Sequence, residues 1–121
     1  MADQDPALRE LLPLTPTVFH ILLALAEGPR HGYRVMQDVA RLSDGQVELG
    51  SGTLYGAIDR MVESGLIEAA AGPEGAGRGK PRRYYRMTGL GQGALVAESE
   101  RMAALVGYVR GKKLIPDSGS V

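Results

Sequence analysis

SGTLYGAIDRMVESGLIE at 51–68 and RGKPRRYYR at 78–86 decide the fold. In the first, Leu54, Ile58, Met61 and Val62 recur at helical steps and form an inward stripe. Ser51 stands where a helix cap belongs, and Ser64-Gly65 supplies the stop, with glycine at the position that favours a left-handed backbone. Thr53, Tyr55, Gly56, Asp59, Arg60 and Glu63 are left on the polar side. Leu66 to Ala71 then reads as a short strand, Gly72 to Pro81 as a Gly/Pro-rich loop, and Arg82 to Met87 as the return strand. The prediction is a helix followed by a two-stranded hairpin with a cationic tip.

Toward the N-terminus, Pro6 to Leu12 predicts a short helix with Leu8, Leu11 and Leu12 on its apolar side, and residues 1–5 read as disordered. Thr15-Pro16 is a hydroxyl cap followed by proline at the first helical position. Val18, Phe19, Ile21, Leu22, Leu23 and Leu25 make the helix that follows nearly all apolar, which places it in the core. Gly28-Pro29 ends it. His31-Gly32 opens another helix, to about Leu42, with Val35 or Met36, Val39 and Leu42 inward. Gln46 to Gly50 is a connector.

Toward the C-terminus, Thr88 starts a last helix reaching about Lys113. At 1.5 Å per residue it is roughly 37 Å long, which outreaches a small three-helix core. Leu95, Met102 and Val109 lie seven apart, Leu105 and Val106 widen the stripe, and Leu90 adds to it. A second copy of the helix is the simplest cover, so Leu90, Leu95, Met102, Leu105, Val106 and Val109 are the expected homodimer interface; the competing reading is that the stripe packs back on its own domain. The division expected is an N-terminal arm at 1–13, a three-helix and hairpin domain at 14–87, a dimerisation helix at 88–113 and a tail at 114–121.

The chain has 121 residues, one domain's worth, with 14 basic and 14 acidic side chains. Neutral net charge speaks weakly against nucleic acid, but its distribution speaks for it. Residues 1–77 hold five basic and eleven acidic side chains, whereas residues 78–86 hold five basic and none acidic. Concentrated cations on a hairpin beside a polar helix suit phosphate contact. Absence of cysteine excludes disulfides, thiol catalysis and Cys-ligated zinc. Two distant histidines, His20 and His31, make no zinc site, and no cofactor is expected. No apolar run is long enough to span a membrane, and the acidic start is unlike a signal peptide, so a cytoplasmic protein is expected. Enzyme-like patterns fail on mechanism. Glu74 and Pro81 occupy positions where a phosphate loop needs glycine and a hydroxyl, and Gly89 to Ala94 lacks the second strand and acid of a dinucleotide fold.

Three helices followed by a β-hairpin make a winged helix-turn-helix, mainly α with a small hairpin, here extended by the long C-terminal helix. In that arrangement the third helix enters the major groove and the hairpin touches the adjacent backbone. Ser51 and the free N–H groups at the helix start suit a phosphate, Gly52 and Gly56 allow close approach, and Thr53 and Tyr55 offer hydroxyls. Arg60 suits a phosphate or a guanine edge. Arg78, Lys80, Arg82 and Arg83 lie along the wing.

These strings resemble the PadR-type transcriptional regulators. The matching pieces are His31-Gly32-Tyr33, Gly52 to Tyr55, Glu63 to Ile67, and Arg82 or Arg83 to Thr88, in the family's order over roughly residues 14 to 110. The resemblance implies a cytoplasmic, dimeric, usually repressing protein that binds a double-stranded operator, in the short form with one C-terminal dimerisation helix. Many members have proline where this chain has Gly56, which predicts a looser helix start. The long glycine-rich loop predicts a wing tip that is mobile without DNA.

Individual residues carry competing structural roles. Tyr55 is assigned to DNA over the core, Tyr33 to packing, His31 to a helix cap and His20 to the core or an interface. Tyr84 and Tyr85 alternate, so one faces inward. Two alternatives stand beside the DNA regulator. One is a small hydrophobic effector at the dimer interface, lined by Phe19, Met102, Val106 and Tyr108. The other is a winged helix that contacts only protein.

Overall fold

The computed structural model describes residues 6–72 and 83–116. Five helices and three strands follow in the order α1 (Pro6–Leu11), α2 (Pro16–Leu25), β1 (Arg30–His31), α3 (Gly32–Leu42), α4 (Ser51–Glu63), β2 (Ile67–Ala70), β3 (Tyr84–Met87) and α5 (Gly89–Gly111). Capping chemistry sets several of these boundaries. Thr15 Oγ1 accepts the Val18 N–H at 3.2 Å at the start of α2, and His31 Nδ1 accepts the Arg34 N–H at 3.1 Å at the start of α3. The α4 C-terminus closes in a Schellman turn. Gly65 takes φ +83°, its N–H reaches the Val62 carbonyl, and the Leu66 N–H reaches the Met61 carbonyl.

The core lies where α2, α3 and α4 meet the sheet. Ile21 and Leu22, Val35 and Val39, and Leu54, Ile58 and Met61 are buried together with Leu66, Ile67 and Tyr85. The sheet is antiparallel, in the order β1-β3-β2, with Ile67 opposite Met87 and Arg30 opposite Tyr85. The hairpin expected from the sequence is therefore the larger part of a three-stranded sheet. Arg30 and His31 hold extended geometry through their pairing with β3, a partner more than fifty residues away in the chain.

The start of α5 is fastened to the turn between α4 and β2. Thr88 Oγ1 lies 2.5 Å from the Gly65 carbonyl oxygen and 3.0 Å from that of Leu66, and accepts the Gly91 N–H at 3.1 Å. Gly91 is buried against that turn, where a Cβ would collide with the Leu66 carbonyl oxygen and come within 2.9 Å of Met87 Cγ. Among the described residues no helix is long and apolar enough to cross a membrane.

Candidate nucleic-acid interface

The helix α4 presents two chemically distinct faces. Leu54, Ala57, Ile58 and Met61 are buried, whereas Ser51, Gly52, Thr53, Tyr55, Asp59 and Arg60 are exposed. Several expectations about this helix need correction. Gly50 is the N-cap and makes no side-chain cap bond, so Ser51 is the first helical residue and its hydroxyl is free of that duty. Val62 is 41% exposed, because it lies one residue, about 100° of helical turn, beyond the buried Met61, and Ala57 fills the inward position instead. Gly56 lies inside α4, which runs unbroken from Ser51 to Glu63.

The helix start carries unsatisfied N–H groups and the positive end of the helix dipole, with Ser51 and Thr53 exposed in its first turn. Arg60, roughly two turns beyond Thr53, is exposed and lies near Gly56, where a Cβ would meet its Nη1 at 3.5 Å. A cleft of about 600 Å³ opens between α4, the start of α3 and β3, lined by His31, Gly32, Tyr33, Tyr55, Asp59, Arg83 and Tyr85. The polar face of α4 and the base of the hairpin thus border one concave surface.

On the hairpin, Arg83 is exposed and lines that cleft. Arg78, Lys80 and Arg82 lie outside the described residues, as do the tip of the wing and the question of its mobility. The basic run is less free than its composition suggests, because Arg86 pairs with Glu68 directly across the ladder at 2.6 Å. Glu68 is eighteen positions away, so its partnership is invisible in the run itself. Tyr85 is buried, and Tyr84 is half-buried with its ring perpendicular to that of His31, centroids 5.4 Å apart. Tyr33, expected to pack, is 55% exposed and stacks over His31.

The stripe along α5 divides. Leu95 is buried in the protomer's own core, and Leu90 packs against that core, so neither is left over for another chain. Both lie in the part of the helix held down by Thr88 and Gly91. Leu105, Val106 and Val109 are exposed, with Met102 at the transition. Phe19, a candidate for lining an effector space, packs against the core.

Two buried acids escaped the sequence reading. Asp38 on α3 is 5% exposed and receives Arg34 Nε at 3.1 and 3.2 Å, with Arg41 Nη2 at 3.4 Å. Glu98 on α5 is 2% exposed and is held by Arg101 through bonds of 2.9 and 2.7 Å. The Arg101 hydrogen bonds and charge, with a backbone bond from Leu14, hold the Glu98 carboxyl below its ordinary pKa against the opposing effect of burial. The Arg-x-x-x-Asp and Glu-x-x-Arg spacings were the available signal. Each acid pairs with arginine on its own helix, and neither lines the cleft beside α4. Among the described residues no group of three or more metal-ligating side chains occurs.

Residues 21–97 match the model of the transcriptional regulator PadR-like family. The chain belongs to that family. PadR-like proteins are transcription regulators rather than enzymes, and DNA binding is the activity they share. The PadR-like fold recurs in a regulator from Bacillus cereus at TM-score 0.66 and 20% identity, covering 93% of this chain and all of that one. It recurs in a PadR family regulator from Clostridium difficile R20291 at TM-score 0.64 and 23% identity, covering 84% of this chain and all of that one. A 37.1 kDa protein of transposon TN4556 from Streptomyces fradiae is 35% identical over 100 residues, which are 83% of this chain. The match spans 26% of that relative's length.

Proposed function

We propose that this PadR-like chain is a cytoplasmic transcriptional repressor that binds a pseudo-palindromic operator as a homodimer. The observation that carries the proposal is the exposed face of α4 set beside the hairpin, with the opposite face of the same helix wholly committed to the core. A helix in that position can enter a major groove without disturbing the fold. Ser51, Gly52, Thr53, Tyr55 and Arg60 are assigned to the groove. Arg83 with Arg78, Lys80 and Arg82 is assigned to phosphates. The free half of α5, with Met102, Leu105, Val106 and Val109, is assigned to the second protomer, while Leu90 and Leu95 anchor the helix to its own domain.

Selection of bound duplexes from a random DNA pool tests the proposal. A recovered inverted repeat with half-sites about one helical turn apart is the expected result. Recovery of no enriched sequence, together with no affinity for duplex DNA at low salt, overturns it in favour of a winged helix that contacts protein. Tyr55→Ala is expected to weaken binding to the selected site by at least about fivefold, the lower end of what one base-reading side chain supplies. Circular dichroism and light scattering should show the fold and the assembly unchanged, because the Tyr55 ring is 42% exposed.

A further inference from the structure

Gly32 is the first residue of α3 and is buried, yet its backbone does not lie in the left-handed region where glycine is favoured. Alanine would suit the helix better by up to about 1 kcal/mol. What the position lacks is a side chain. A Cβ built there would stand 2.7 Å from Tyr55 Cζ and 2.8 Å from its Cε1, and would collide with the phenolic oxygen. Real side chains do not pack that closely, so either the ring or the helix would have to shift. The end of the Tyr55 ring therefore crosses from α4 to rest on the backbone of α3, along the wall of the cleft shared with Arg83.

We infer that Gly32 is a positioning residue for DNA binding, whose missing side chain lets the Tyr55 ring lie fixed against α3 before DNA arrives. The inference rests on the DNA-binding role proposed above. A half-exposed tyrosine at the end of a flexible side chain samples several rotamers, and binding must then select one. Seating the ring on Gly32 removes that cost in advance, at the expense of helix propensity at residue 32.

The test compares the full-length chain with Gly32→Ala, Tyr55→Ala and the double variant, using the selected operator duplex in fluorescence anisotropy at one salt concentration. Thermal melting reports the fold, and nuclear Overhauser contacts between the Tyr55 ring and the Gly32 α-protons report the packing without DNA. The ring contact is expected in the parent and absent in Gly32→Ala. Affinity should fall about three- to tenfold in Gly32→Ala, the factor that ordering one side chain is worth. The double variant should bind no worse than Tyr55→Ala alone, as expected for two residues acting through one contact. Unchanged affinity in Gly32→Ala, additive losses in the double variant, or absence of the ring contact in the parent overturns the inference while leaving operator binding intact. If Gly32→Ala melts early, the double variant should regain the melting temperature of Tyr55→Ala, and failure to do so overturns the inference as well. A parent that keeps the ring contact but binds no DNA overturns the DNA-binding role itself.

Discussion

Gly91 and Gly93 stand two residues apart on one helix and have opposite sensitivities. A methyl group at Gly91 would run into the Leu66 carbonyl, a backbone atom that cannot swing aside. Gly91→Ala is expected to destabilise the protein by about 1–3 kcal/mol, the usual cost of overpacking, measured as a lower urea midpoint. At Gly93 the nearest atom to a new Cβ is Leu8 Cδ2 at 3.8 Å, an ordinary contact. Gly93→Ala is expected to leave the midpoint unchanged or to raise stability by up to about 1 kcal/mol through helix propensity. Glu98 gives the residue scale its pH dependence. Its pKa is lowered by folding, so the ionised carboxyl stabilises the native state at neutral pH, and that contribution is lost as pH falls from the ordinary carboxylate range toward the folded pKa. Glu98→Gln should flatten the acid side of a plot of melting temperature against pH, and an unchanged slope would show that the Arg101 pair does not contribute.

At the scale of the element, what the sequence revealed depended on how local the cause was. The helix α4 was legible because its apolar spacing and the Gly65 stop are contained in fifteen residues, whereas alternation along β3 showed that one of Tyr84 and Tyr85 is buried without saying which. β1 was not legible. Two residues, Arg30 and His31, carry no periodicity, and their strand geometry comes from β3. The wing's charge was legible as composition but not as electrostatics, because Glu68 reaches Arg86 only through the ladder register. Asp38 and Glu98 carried the same spacing as any surface helix pair, and burial by distant elements is what sets them apart. A prediction about the wing follows from its charges. Arg82→Ala with Arg83→Ala should weaken binding at all DNA sequences and make the salt dependence shallower by about one logarithmic unit for each phosphate that is no longer neutralised. An unchanged slope in a salt titration would remove those two arginines from the phosphate-binding set.

For the whole molecule, the division of α5 matters most. Its first turns belong to the domain core, and its last turns expose Leu105, Val106 and Val109. Leu105→Glu with Val109→Glu is expected to leave the protomer folded and to yield monomers by light scattering. Operator affinity should then fall far more than the affinity for a single half-site. Retention of a dimer would place the interface elsewhere. The domain boundary drawn at residue 88 from sequence thus falls at a fastening, because Thr88 bonds back to the carbonyls of Gly65 and Leu66.

That fastening joins two helices that point to different tasks. The Thr88 hydroxyl and the bare Gly91 backbone clamp the root of α5 to the turn that ends α4. The helix assigned to the groove and the long helix therefore turn together in the proposed regulator, like the blade and handle of one tool. In a pair of such tools joined at the handles, the distance between blades is set by the angle at which the handles cross. In the proposed dimer the ruler for half-site spacing is the exposed end of α5, and substitutions there would retune which operators fit without altering any residue assigned to a base.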